Sequence, residues 1–578
     1  MCSHSFEWKH LFKGLFLYKC KRSFKGGILM EKSLRTWSQS LWLSHQRSKD
    51  LITFASLRKV KTESPKESVD AAVSDGGNKQ NEKPAYTKSQ FVGLLLGPLL
   101  FLMTVFLLPL PGLSEEGRAV LAITLWVSTW WILEAMPLGI TSLLPIVLLP
   151  LMGTITGAQA TASYGDPNIF LFLGGFAIAL ALEKWKLHER IALTIISFVG
   201  TSTSGLVYGF MFATGFLSMW ISNVATVMMM IPIGTAIAFK VVELMKKEGT
   251  YTLEEDKKFT KSIVFSIGFG GIIGGSATLI GTPPNLILAG LIKEMYGIEI
   301  SFAKWFLFAF PLILILAVFA AFYLTKIAYP MKVKRLEHGR QFVLDEKQAL
   351  GKMTYEEKIV SIVFSLTAFM WLTRSFIWTD IIPGISDTMI AMTGAILLYL
   401  IPASKKNGGR ILESDSLKHM PWDVLLLVGG GLAIAAGFSG TDLSTWIGSQ
   451  LLLLEGTPYI LILSITTILT IGITQIAPNT AITTIFVPIA ATLALAIDAH
   501  PLPLMAAAAL GAGFAFMLPI GTPSQAIIFG TGKVTIMDML RKGTWITILA
   551  TILIITFIYF LFPIVFDLNL LEFPSELK

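Results

Sequence analysis

The sequence predicts an all-α polytopic membrane protein, with about eleven transmembrane helices plus two re-entrant hairpins arranged as an inverted repeat. Three observations predict it. Hydrophobic residues make up 53% of the chain against 15% charged residues, where a soluble domain carries about 25% charge. Apolar runs of spanning length recur along the whole body. Distinct sequence patterns also occur twice, in the same order.

The apolar runs lie at 91–110, 118–136, 138–152, 168–182, 261–280, 304–327, 357–373, 385–402, 423–438, 503–520 and 543–566. Two further stretches, 204–239 and 457–497, are each long enough for two short helices and carry uncharged polar residues at their centres. If both stretches return to the side they enter from, the basic loops fall on one side. These are 183–190, 240–261, 331–358, 403–419 and 531–542, whereas the opposite loops hold little beyond Arg118, Lys293 and Arg374. The positive-inside rule then puts the N-terminus in the cytoplasm and the C-terminus, with a short tail at 571–578, outside.

The net charge of +8 resides in the tail. Residues 1–88 hold 17 Lys and Arg against 8 Asp and Glu, and the remaining chain holds 29 against 30. A basic segment beside a membrane body reads as an anchor to anionic lipid, so no nucleic-acid partner is expected. Residues 1–89 read as a largely disordered cytoplasmic tail. Met30 offers a second start, on which reading 1–29 is an upstream extension. Cys2 and Cys20 both lie in this tail without metal spacing. The seven His are scattered, and no HExxH, CxxC or Walker pattern occurs. An enzyme, a resident metal and an organic cofactor therefore find no support.

The duplication is specific. LFLGGFAIALAL at 171–182 matches LLVGGGLAIAAG at 426–437, and SNVATVMMMIPIGTA at 222–236 matches PNTAITTIFVPIAAT at 478–492. GTPPNLI at 281–287 then matches GTPSQAI at 521–527. One copy enters its hairpin from inside and the other from outside, so the body at 90–570 reads as inverted repeats of about 137–330 and 385–567. Inverted repeats with interrupted helices place a binding site at the repeat interface of a secondary transporter.

The interruptions carry the chemistry. Gly281-Thr282-Pro283-Pro284 and Gly521-Thr522-Pro523 cannot continue a helix. Where one half-helix ends, free carbonyls suit a cation; where the next begins, free amides suit a carboxylate. Asn223 and Asn479 each offer an acceptor and a donor, and Ser218, Ser222, Thr474 and Thr480 add hydroxyls. Neither the Asn segments nor the GTP segments contain a Lys, Arg, His, Asp or Glu. That argues against a proton relay through them and for Na⁺ as the partner of an anion.

At these residues the sequence resembles the divalent anion:sodium symporter family, above all its bacterial sodium-dependent dicarboxylate transporters. The resemblance covers roughly 90–570. It implies an elevator-type homodimer in the bacterial cell membrane that imports succinate, fumarate and malate with Na⁺. It also implies one Na⁺ site at Ser218, Ser222, Asn223 and Gly281, and another at Thr474, Ala477, Asn479 and Gly521. The substrate would meet Ser222, Asn223, Asn479, Thr480, Thr522 and Pro523. The family's Ser-Asn-Thr is here Ser222-Asn223-Val224 and Pro478-Asn479-Thr480, so each copy lacks one hydroxyl. A different anion, or exchange of one dicarboxylate for another, stays open on this reading.

Overall fold

The computed structural model describes residues 86–574, apart from 201, 248–250, 332–338 and 452–455. The expectations for the basic tail up to residue 85, and for 575–578, lie outside the described residues. Among the described residues the chain is helical, and its one extended feature is an isolated bridge between Pro402 and Arg410.

The principal helices are α1 (Lys88–Phe106), α2 (Glu115–Ile132), α3 (Leu144–Leu151), α4 (Pro167–Lys184), α5 (Leu187–Val199), α6 (Thr203–Ser218) and α7 (Asn223–Lys247). They continue with α8 (Leu253–Gly275), α9 (Pro283–Tyr296), α10 (Phe302–Phe322), α11 (Tyr355–Thr373), α12 (Asp387–Leu400) and α13 (Trp422–Ser439). The last are α14 (Leu443–Leu451), α15 (Tyr459–Ile473), α16 (Asn479–Ala496), α17 (Pro501–Gly513), α18 (Pro523–Gly530) and α19 (Ile536–Phe560). The seven helices α4–α10 and the seven helices α13–α19 follow one another with their interruptions at corresponding places, as the duplicated motifs require.

Eight helices among the described residues are long and apolar enough to cross a bilayer. Six coincide with expected spans; the other two are α7 and α16, the second arms of the expected hairpins. Three expected spans fold as shorter helices, at Leu138–Leu151, Asp387–Leu400 and Pro501–Gly513. Two runs end earlier than their apolar composition suggested. The run 261–280 leaves the helix at Gly275 and the run 503–520 leaves it at Gly513. In both, an apolar but non-helical segment follows. α7 is long because a basic last turn ending in Lys246 and Lys247 extends it; its stretch from Asn223 to Phe239 contains no charge.

Polar groups inside the apolar helices are satisfied locally, as a bilayer interior demands. The hydroxyls of Thr104, Thr124 and Thr129 each donate to the carbonyl four residues back, at 2.7–2.8 Å. Helix crossings are close because they are lined with glycine. A Cβ added to Gly274 of α8 would stand 2.1 Å from the Gly215 carbonyl oxygen of α6. The corresponding crossing of α15 and α17 sets Gly511 against the Thr470 hydroxyl, where a Cβ would meet Oγ1 at 2.3 Å. Small residues permit this approach, and packing replaces the hydrophobic drive that lipid does not supply.

Near the start of the body, Ser114 caps α2 and also binds the loop after α13. Its backbone N donates to Asp442 Oδ2 at 2.9 Å and its hydroxyl to Oδ1 at 2.5 Å. The Ser114 hydroxyl holds the Asp442 carboxyl below its ordinary value. A carboxyl depressed in the folded state stabilises above its unfolded pKa and loses that contribution as pH falls through the folded one. Ser114→Ala should therefore lower stability by on the order of 1 kcal/mol at neutral pH. The gap between wild type and variant should close on acidification below the carboxylate range, read by thermal unfolding in detergent across a pH series.

Candidate functional site

The two hairpins turn at short segments, four residues long in the first half and five in the second. α6 ends at Ser218 and α7 begins at Asn223; α15 ends at Ile473 and α16 begins at Asn479. Each asparagine is therefore the first residue of a helix, partly exposed, while Ser218 and Thr474 just before the turns are fully buried. Neither asparagine is sealed within an unbroken helix.

In the first half the asparagine sits among oxygens. One terminus of the Asn223 amide lies 2.7 Å from Ser218 Oγ, 3.0 Å from the Gly281 carbonyl oxygen and 3.3 Å from that of Gly271. Turned so that Nδ2 occupies that place, the amide donates to all three. Turned so that Oδ1 occupies it, the place is ringed by oxygens alone, which is a cation's environment. The Ser218 hydroxyl lies 2.7 Å from the Gly271 carbonyl as well. Gly275 and Gly281 make the room: a Cβ on Gly275 would stand 2.1 Å from Asn223 Oδ1, and one on Gly281 would stand 2.3 Å from the Gly275 carbonyl oxygen and 2.8 Å from that of Ser218.

The second half repeats this arrangement with different residues. Thr474 Oγ1 lies 2.7 Å from Asn479 Oδ1 and 2.7 Å from the Ala512 carbonyl oxygen. Asn479 Nδ2 donates to the Gly513 carbonyl at 3.1 Å. Gly521 again passes under the hairpin turn, where a Cβ would meet the Thr474 carbonyl oxygen at 2.8 Å and that of Gln475 at 3.2 Å. Ala477 is buried with Ile482 and Ala512 directly beside this cluster.

The break segments are tied down by opposite means. In the first half Thr278 Oγ1 donates to the Met219 carbonyl at 2.5 Å and accepts from Gly281 N at 3.1 Å. Asn285 Nδ2 adds bonds to the carbonyls of Ser276 at 3.1 Å and Thr278 at 2.8 Å. In the second half Gln475, in the hairpin turn, does the whole task. Its Oε1 accepts from Phe516 N at 3.0 Å and Met517 N at 2.9 Å, and its Nε2 donates to Ile471 O at 2.7 Å and Phe514 O at 3.0 Å.

The two breaks meet. A Cβ on Gly513 would lie 3.6 Å from Ser276 Oγ, Phe269 of α8 packs edge-on against Phe516 at 5.6 Å, and Ile528 of α18 presses on Gly268. The chain of contacts from Asn223 through Gly275 and Ser276 to Gly513 and Asn479 joins both clusters. The first hairpin turn is further held by Trp220, stacked on Trp371 at 6.4 Å and on Phe302 at 6.1 Å. Phe302 N and Arg374 Nε both bind the buried Asp387 carboxylate, at 2.9 and 2.6 Å.

Of the residues singled out from sequence, Ser218, Asn223 and Gly281 come together, as do Thr474, Asn479, Ala477 and Gly521. Ser222 is engaged otherwise: its hydroxyl accepts from Ala225 N at 3.3 Å and caps α7. Thr480 is half-buried on the first turn of α16, and Thr522 and Pro523 open α18 as N-cap and first helical residue. The carbonyls of Gly271, Ala512 and Gly513, and the side chains of Thr278, Asn285 and Gln475, were not legible as site residues. Asn285 alone had a signal, since it stands inside the repeated GTP motif opposite Gln525.

The break segments 219–222, 276–282, 474–478 and 514–522 hold no titratable residue. Each cluster thus pairs neutral oxygens with the amide end of a new helix. Residues 88–568 match the family described as the sodium:sulfate symporter transmembrane region. The chain belongs to that family. Its relatives include the sodium-dependent dicarboxylate transporter SdcS of Staphylococcus saprophyticus, 46% identical over 503 residues, or 86% of this chain and 96% of that one. The protein of the same name from Staphylococcus aureus strain USA300 is 46% identical over 505 residues, 87% of this chain and 96% of that one.

The tight fit around Gly275 gives a direct test. Gly275→Ala drives a methyl into the place of the Asn223 amide, and overpacking of this kind costs about 1–3 kcal/mol. The variant should lose the Na⁺-dependent rise in melting temperature attributable to the first cluster. A variant retaining the full wild-type rise would show that the Asn223 cluster takes no Na⁺.

Proposed function

We propose that this symporter-family protein is a secondary active transporter that imports four-carbon dicarboxylates such as succinate, fumarate and malate, coupled to Na⁺. The observation that carries the reading is the pair of charge-free oxygen clusters, each beside a helix N-terminus. A dianion held by neutral donors alone would carry its full charge into an apolar interior, at a cost that neither hydroxyls nor amides offset. Na⁺ at the carbonyl ends supplies the missing positive charge, and the amide ends face the carboxylates. Transport of the substrate then requires occupation by Na⁺, which is symport.

On this reading one Na⁺ lies among Ser218, Asn223 and the Gly281 carbonyl with Ser222 nearby, and a second among Thr474, Ala477, Asn479 and Gly521. The dicarboxylate spans Ser222, Asn223, Asn479, Thr480, Thr522 and Pro523. The names of the curated relatives, which share nearly half of their residues with this chain, support the cargo. The repeats lie inverted in a cell membrane with the N-terminus cytoplasmic, as the loop cations favour, and the protein works as a homodimer by an elevator motion. Both last points come from the family resemblance.

Val224 and Pro478 favour one variation. A hydrogen bond to a charged group contributes about 1.5–3 kcal/mol, so the two missing hydroxyls would weaken dicarboxylate binding or shift the preferred anion. Uptake of labelled succinate into proteoliposomes under an inward Na⁺ gradient should exceed uptake in K⁺ by an order of magnitude or more. Asn223→Ala and Asn479→Ala should each abolish it while melting as single folded species. Equal uptake in Na⁺ and K⁺ would reject coupling. Transport of sulfate or another anion in place of succinate would assign the altered residues to specificity.

A further inference from the structure

The pattern Thr-x-x-Gln opens three helices of this chain, and in two of them it behaves as local chemistry dictates. Gln90 returns to Thr87 and Gln159 to Thr156, each side chain accepting from the threonine backbone N at 2.9 Å while the threonine hydroxyl caps the helix. This reciprocal pair is the ordinary outcome of the motif. The third copy is Thr522-Pro523-Ser524-Gln525. Thr522 still caps, accepting from Gln525 N at 3.3 Å. The Gln525 side chain does not return the bond. It is fully buried, and neither Oε1 nor Nε2 has a partner in the protein.

Its direction follows from helix geometry. Side chains lean toward the helix N-terminus, so a residue in the first turn of α18 reaches back over the break. The symmetry-related residue demonstrates that reach: Asn285, in the first turn of α9, extends into its own break to bind the Ser276 and Thr278 carbonyls. In the second half that task is already performed by Gln475, which binds Phe514 O, Phe516 N and Met517 N. Gln525 is therefore spared from holding the loop. It shares a helix face with Ile528, which packs on Gly268 of α8, and so lies between the two repeats beside the opening residues of α18.

We infer that Gln525 binds the transported anion, its Nε2 donating to a substrate carboxylate beside Thr522 and Pro523. A buried primary amide without partners is costly unless a ligand satisfies it, and a donor on the positive end of a helix suits an anion. The residue makes good part of the donor capacity lost at Val224 and Pro478. This inference rests on the reading of the site as one for dicarboxylates.

The test compares wild type with Gln525→Leu and Gln525→Glu in proteoliposomes, using labelled succinate and a Na⁺ gradient. Gln525→Leu should raise the KM for succinate at least tenfold. In detergent without substrate it should melt at or above the wild-type temperature, because it removes an unpaired amide, while the upward shift given by succinate shrinks. Gln525→Glu, of the same shape but negative, should lose succinate uptake. A wild-type KM in Gln525→Leu, or a lower melting temperature without substrate, would overturn the assignment and leave Gln525 a packing residue. A wild-type KM with a raised Na⁺ requirement would likewise overturn it, giving the amide to the cation. Absence of Na⁺-driven succinate uptake in the wild type would instead reject the dicarboxylate reading itself.

Discussion

Ending a helix inside an apolar interior leaves carbonyls and amides without partners, at a cost of several kcal/mol for each group left bare. This chain ends helices there at four places, and the hydroxyl–amide pairs Ser218–Asn223 and Thr474–Asn479 are what make those ends tolerable. Each pair spans from a hairpin turn to the last turn of a broken helix, where carbonyls of Gly271, or of Ala512 and Gly513, take hydrogen bonds. The glycine crossings follow from the same need, because only backbone brought that close can share so few donors. Each pair thus ties its hairpin turn to the broken helix beside it.

The constraint explains why the functional groups are uncharged. A titratable side chain at a break would satisfy the helix ends permanently and leave nothing for a ligand to complete. On the proposed function, neutral oxygens and amides leave the site short of its cations and its anion. The cation and the anion then become conditions for each other, since either alone is stranded in a medium of low dielectric. Coupling is in this sense a property of unfinished hydrogen bonding, not of a separate gate.

Symmetry sets the frame and departs from it in instructive places. The hairpin hydroxyl, the asparagine and the glycine under the turn are repeated. The tie on the break segment is not: Thr278 and Asn285 share it in one half, and Gln475 bears it alone in the other. Such exchanges let one copy release a side chain for binding without loosening its loop. They also mean that the two oxygen clusters differ in their immediate surroundings, so that on the proposed function each would have its own Na⁺ affinity.

Much of this was legible in the sequence, and the rest was not for physical reasons. Helices, hairpin turns and the paired asparagines announce themselves through apolar periodicity, proline and repeated polar residues in apolar stretches. The ends of α8 at Gly275 and α17 at Gly513 did not, because Ser276–Ile280 and Phe514–Ile520 are apolar enough to pass for helix. Carbonyl ligands are invisible in sequence, since every residue offers one. Gln475 was passed over because its counterpart is Met219, and reading by repeats favours what recurs. The capping of α7 by the Ser222 hydroxyl, which accepts from Ala225 N, was likewise not readable from the repeat.

On the proposed function, sodium and carboxylate complete one shared, charge-free site. Calorimetric titration of succinate into the purified protein, over a series of NaCl concentrations at constant ionic strength, addresses it without transport. Succinate affinity should rise steeply with Na⁺, and Na⁺ affinity should rise by the same factor with succinate, as linkage requires. Succinate binding of equal strength in choline chloride would contradict the account.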